Sequence, residues 1–89
     1  MNILYLPKAQ SDLQYWFDTD KRTLGRIFKL AQEVTRTPYD GSGQPEQLKH
    51  HLNKYWSRRI DKEHRLVYCY NEVTEQIEII SCRGHYTDL

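Results

Sequence analysis

The segment from Pro45 to Leu66, PEQLKHHLNKYWSRRIDKEHRL, concentrates the residue types that act on a phosphodiester. Between positions 46 and 65 it carries six cations, Lys49, Lys54, Arg58, Arg59, Lys62 and Arg65, and three of the chain's four histidines, His50, His51 and His64. The acids there are Glu46, Asp61 and Glu63. Clustered cations attract a polyanion, and Tyr55 and Trp56 among them add flat faces for stacking unpaired bases, so the partner read from this surface is RNA. Cleaving RNA through its own 2′-hydroxyl needs a base for the 2′-proton, a cation for the charge building on phosphorus, and an acid for the leaving 5′-oxygen. Glu46 is the candidate base, Arg65 offers a planar fork that matches phosphate oxygens, and His85, just past the last strand-like run, is the candidate acid. Tyr86 beside it would position or assist. Lys49, His50, Lys54, Arg58 and Arg59 are the candidate RNA contacts.

Each of these residues has a plainer reading. A carboxylate after a proline is also an ordinary solvated strand-start residue. Arg58, Arg59 and Lys62 also describe a charged hairpin edge that discourages aggregation. His50, His51 and His64 show no zinc spacing with cysteine and are read as solvent-exposed phosphate contacts, so neither a metal nor a cofactor is expected. Gly41 and Gly43 lie in a loop that lacks GxxxxGK[ST] and has no strand before it, which makes it a connector. Cys69 and Cys82 are too far apart for a CxxC pair and sit in apolar runs, as reduced core residues of a cytosolic chain do.

The elements that must hold these groups come from periodicity and punctuation. With 89 residues the chain is read as one domain, 1–89, burying only about 60 to 65% of its unfolded surface. Its net charge is +1, so attraction to nucleic acid must come from clustering. No 18-residue apolar stretch and no basic start with an apolar run occurs, which points to a cytoplasmic protein without membrane contact. Residues 2–6 read as a strand ended by Pro7, a tolerated first helical residue. Ala9, Leu13, Trp16 and Phe17 then recur at helical spacing as a core stripe, and Asp20 is placed to cap a second helix carrying Leu24, Ile27, Ala31 and Val34, closed by Pro38. Residues 55–60, 65–71 and 76–82 are strand candidates, with a further short strand beginning at Glu46. The face of Trp56 stays open. Intervals too short for helices require an antiparallel meander. The result is an α+β layer, an N-terminal strand and two helices on one face of an antiparallel sheet of four to five strands, with the other face free for binding or chemistry. A three-residue loop from Asp61 to Glu63 would set Arg59 opposite Arg65, whereas a four-residue loop would not.

The runs TDKR (19–22), TRTPYDGSGQPEQLKHHL (35–52), YWSRRIDKEHRLVY (55–68) and SCRGHY (81–86) resemble the YoeB/Txe family of bacterial type II toxins, within the RelE-like superfamily. The resemblance implies a microbial-ribonuclease-like α+β fold and an endonuclease that acts on messages in the ribosomal A site. It also implies a YefM-like antitoxin that neutralises the toxin, contact with operator DNA only through that complex, and it allows a homodimer. Carried over by motif, the general base falls on Glu46 of PExLKH, the transition-state arginine on Arg65 of EHRLVY and the general acid on His85 of the CRxHY end. Supporting roles fall on Lys49, Arg59 and Tyr86. The family commonly stops near this tyrosine, whereas Thr87, Asp88 and Leu89 follow here; Asp88 and the terminal carboxylate would raise the pKa of the acid or crowd the substrate. A rival from another class is a non-catalytic inhibitor of the ribosome or of a topoisomerase, as in the related ParE branch. Binding alone, however, needs no paired proton donor and acceptor. A simple RNA-binding module would leave Glu46 unexplained, because a carboxylate near phosphates weakens binding.

Overall fold

Proline and aspartate punctuate the N-terminal half of the computed structural model, which describes residues 1–85. Strand β1 (Asn2–Tyr5) ends at Leu6, and Pro7 occupies the first position of helix α1 (Pro7–Thr19), where its missing N–H costs nothing. Asp20 serves both helices: its N–H donates to Trp16 O (2.8 Å) and closes α1, while its carboxylate accepts from Thr23 N (3.2 Å) and Thr23 Oγ1 (2.8 Å) and starts helix α2 (Lys21–Arg36). The Thr23 hydroxyl, followed by its amide, holds the Asp20 carboxyl below the usual carboxylate range. Thr37 leaves the helical region with φ −138° because Pro38 follows it.

Strands β2 (Glu46–Gln47), β3 (Trp56–Arg59), β4 (Arg65–Asn71) and β5 (Gln76–Ser81) form the expected antiparallel meander. A 3-10 turn, His50–Leu52, sits between β2 and β3. β1 joins the far side of β5 in parallel, giving a mixed sheet of order β1-β5-β4-β3-β2. Both helices lie between β1 and the meander in sequence, and the chain that carries them back makes the parallel pairing possible.

Strand alternation sorts the side chains into two faces. Leu66, Tyr68, Ile77 and Ile79 meet Ala9 and Trp16 of α1 and Ile27, Leu30, Ala31 and Val34 of α2 in one core cluster. Each fully buried aliphatic side chain there contributes about 1.5–3 kcal/mol. Trp56, opposite Tyr68, is partly buried against this cluster and tilts against Tyr39 (centroids 4.9 Å apart), so its ring lies on the helix side and is not a stacking platform on the open face. Leu48, Val67 and Cys69 are buried outside the cluster. Among the described residues, no helix is long and apolar enough to cross a membrane.

Candidate active site

The hairpin register decides which cations share a face with Glu46. Ile60 N donates to His64 O (2.9 Å), so the loop is the three-residue one, Asp61 to Glu63, and Arg59 stands opposite Arg65. On the other side of β3, Glu46 stands opposite Ser57. Because cross-strand partners point the same way and residues two apart on a strand share a face, Glu46, Arg59 and Arg65 all lie on the face turned away from the helices. Neighbouring strands are about 4.8 Å apart, so the three residues fall within the span of a dinucleotide. Lys49 and His50 follow β2 and are exposed, His50 with a left-handed φ of 59°. Lys54 is exposed and holds its ammonium 5.1 Å from the Tyr55 ring.

Arg65 is anchored on one edge. Its Nη1 donates to the carbonyls of Asp61 (2.9 Å), His64 (3.2 Å) and Lys62 (3.3 Å). Its Nε and Nη2 have no partner among the described residues, although no polar side-chain atom there is both buried and unpaired. A planar cation is thereby fixed in place with its second edge still able to donate, the arrangement suited to an incoming oxyanion.

Arg58 behaves in the opposite way, which corrects its assignment to the RNA-contacting surface. One residue from Arg59, it points to the helix side and is fully buried. Its Nη1 bonds Glu33 Oε2 (2.7 Å) and Ser42 O (3.3 Å), its Nη2 bonds Asp40 O (2.7 Å) and Thr37 O, and its Nε bonds Tyr68 Oη (3.1 Å). No proton remains for a phosphate. The guanidinium instead holds the 37–43 loop, which leads to Glu46. Glycine is required in that loop: Gly43 has φ +84°, and an added Cβ would lie 3.1 Å from Arg59 O and Arg58 Cβ. Gly43 O in turn accepts from Arg59 N (2.7 Å), which fixes the approach to β2. The connector is therefore part of what positions Glu46.

Beyond β5 the chain turns across the start of β4. Arg65 N donates to Gly84 O (3.0 Å), which sets His85 next to Arg65 in space. Helix α1 clamps this turn from the other side through residues that sequence reasoning left out of the site. Asp12 is nearly fully buried and its Oδ2 accepts from Cys82 N (3.0 Å) and Lys8 Nζ (2.7 Å). Lys8 Nζ also reaches Ser81 Oγ (2.9 Å) and Arg83 O (3.0 Å), Trp16 Nε1 donates to Cys82 O (2.9 Å), and the Arg83 guanidinium lies 3.5 Å from the Tyr15 ring centre. The available signal was Asp12 within the helical stripe of Ala9 and Trp16, since a carboxylate on an apolar face needs a partner. His64 is not a solvent-exposed phosphate contact: its Nδ1 accepts from Gly84 N (2.9 Å) and its ring meets Trp16 edge-on (4.8 Å). Tyr86 and the Thr87-Asp88-Leu89 extension lie outside the described residues.

Burial pushes the Cys82 thiol up to about 12, with the Asp12 carboxylate adding, and burial together with Glu78 raises that of Cys69. Both remain protonated near neutral pH and are poor nucleophiles. Among the described residues no three His, Cys, Asp or Glu side chains gather as a metal site. The open face thus carries a carboxylate and two arginines, and the chain turn that bears His85 passes beside Arg65; these residue types suit proton transfer around a phosphate.

Two helices packed on one face of a mixed five-stranded sheet form an architecture that this chain shares with solved bacterial toxins. A YoeB/ParE toxin from Agrobacterium tumefaciens is 40% identical and superposes with a TM-score of 0.92, covering 97% of this chain and 100% of that one. YoeB of Staphylococcus aureus, solved in a heterotetrameric complex with YefM, is 40% identical with a TM-score of 0.85 over 97% of this chain and 98% of that one; it has also been solved as a dimer. The model of the YoeB-like toxins of bacterial type II toxin-antitoxin systems matches residues 5–86. Toxin YoeB of Escherichia coli (strain K12) is 43% identical over 86 residues, which is 97% of this chain and 100% of that protein. The chain belongs to the YoeB-like toxin family of type II toxin-antitoxin systems.

Proposed function

We propose that this toxin is a ribosome-associated mRNA endonuclease that stops translation by cutting the message through its own 2′-hydroxyl. The observation that carries the reading is the half-anchored guanidinium of Arg65, on the same face as Glu46 and tied through Gly84 to the segment bearing His85. In this scheme Glu46 takes the 2′-proton, the 2′-oxygen attacks phosphorus, and Arg65 neutralises the growing equatorial charge. Protonated His85 gives its proton to the departing 5′-oxygen, which leaves a 2′,3′-cyclic phosphate and a 5′-hydroxyl. Tyr86 is assigned to orient the leaving side, and Lys49, His50, Lys54 and Arg59 to hold the RNA backbone. Every step uses protein groups and the substrate's own hydroxyl, so the proposed chemistry is metal-independent.

The cellular setting is proposed on family grounds: a cytoplasmic toxin, a YefM-like antitoxin that masks the basic face, and operator DNA reached only through that complex. A homodimer is proposed from the dimeric S. aureus relative. The test uses purified toxin with ribosomes carrying a defined message. Cleavage mapped by primer extension should appear at the A-site codon and vanish on adding the antitoxin. Inhibition of translation with an intact message would overturn the nuclease reading and favour a non-catalytic inhibitor.

A further inference from the structure

His64 sits between the arginine and the histidine of the proposed reaction without belonging to either role. Its backbone precedes Arg65, and its side chain reaches the residue that precedes His85. Gly84 is held on both sides of its Cα: its N–H donates to His64 Nδ1 (2.9 Å) and its carbonyl accepts from Arg65 N (3.0 Å). Gly84 has φ +84°, a region open to glycine at little cost, so the backbone there has little intrinsic preference for one setting. The two hydrogen bonds supply that preference. The ring of His64 is itself fixed, edge-on to Trp16 at an interplanar angle of 85°, and Trp16 Nε1 donates to Cys82 O (2.9 Å). The 82–84 turn is thus pinned two residues apart by the two members of one aromatic pair.

We infer that His64 is a positioning residue: its Nδ1 lone pair, accepting from Gly84 N–H, sets the location of His85 relative to Arg65. The bond requires an unprotonated Nδ1, since a proton there would present a donor to a donor. The inference rests on the reading of His85 as the acid. Misplacing a catalytic group by about 1 Å costs on the order of 10²-fold in rate.

Two variants separate the hydrogen bond from the packing. H64F keeps a ring against Trp16 and removes the acceptor. H64N removes the ring but places Oδ1 the same number of bonds from Cα as Nδ1, where it can accept from Gly84 N–H. On ribosomes carrying a defined message, H64F should lower the saturating cleavage rate by about 10- to 100-fold with little change in KM. H64N should recover most of that loss even if its thermal midpoint is the lower of the two. In the free toxin, the Gly84 amide resonance should move upfield in H64F and stay near its wild-type position in H64N. A purely structural His64 would give rates that follow thermal stability, and that result would overturn the inference. So would wild-type cleavage by H64F. His85→Ala measured alongside keeps the two levels apart: full activity in that variant would sink the assignment of the acid, whereas an inactive His85→Ala with a fully active H64F would sink only the role of His64.

Discussion

Replacing His85 with alanine is expected to slow message cleavage by about 10²- to 10⁴-fold, and Glu46→Gln to do the same, with both proteins remaining folded. The magnitude is that of losing one general acid or base while phosphate clamping and substrate contacts stay in place. Folding should survive because neither residue supports the core: His85 lies beyond β5 and Glu46 is an exposed residue in a two-residue edge strand, both outside the buried cluster. Single-turnover rates at saturating toxin make the comparison, since they isolate the cutting step from ribosome binding. Wild-type cleavage by a folded His85→Ala or Glu46→Gln protein would remove that residue from the mechanism.

The second large effect concerns stability. Arg58→Ala is expected to cost about 3–5 kcal/mol, because it empties the space of a fully buried side chain and removes the donor that Tyr68 and three loop carbonyls share, while Glu33, partly exposed, can turn to water. In a chain of 89 residues that corresponds to a thermal midpoint lower by about 15–30 °C, a large share of the stability of so small a domain. The pH dependence should change with it. The Ser42 amide, with the Ser42 hydroxyl and the Arg58 and Arg36 charges, holds the Glu33 carboxyl below its ordinary range against the opposing effect of burial. A carboxyl whose folded-state pKa is depressed adds stability above its ordinary pKa, and that stability is lost as the pH falls through the folded-state value. Denaturant unfolding followed from about pH 7 to pH 3 should show this acid-side loss in the wild type and a smaller one in Arg58→Ala. A variant with wild-type stability would show that the loop does not depend on the buried guanidinium.

Much of this arrangement was legible in the residues. Pro7, Asp20 and Pro38 mark their helix boundaries through local chemistry, which is why those boundaries were readable without tertiary information. The meander followed from short intervals between β-rich runs, and the three-residue hairpin loop was one of two registers already in view. What could not be read is the contribution of contacts distant in sequence. Arg58 and Arg59 are adjacent and chemically alike, yet strand alternation sends one to Glu33, 25 positions earlier, and the other to the open face. Composition treats them as one basic patch. Trp56 follows the same parity as Arg58, and its face depended on the same register. Asp12 and His64 acquire their meaning only when the 82–84 turn lies against them, through contacts spanning 70 and 20 positions. The connector 39–45 likewise looked like a plain link because its function, presenting carbonyls to a buried arginine, leaves no motif.

The central claim is that the message supplies the nucleophile and Glu46 activates it, and the measurement that reaches it most directly is cleavage of a message carrying a single 2′-deoxy sugar at the scissile nucleotide, with the ends of the natural product analysed in parallel. The deoxy message should enter the ribosome and bind toxin normally yet stay intact, while the all-ribose message should yield a 2′,3′-cyclic phosphate or 3′-phosphate and a free 5′-hydroxyl. Cleavage of the deoxy message at the normal rate, or products bearing a 5′-phosphate, would mean that an external nucleophile does the cutting, and the role given to Glu46 would be wrong.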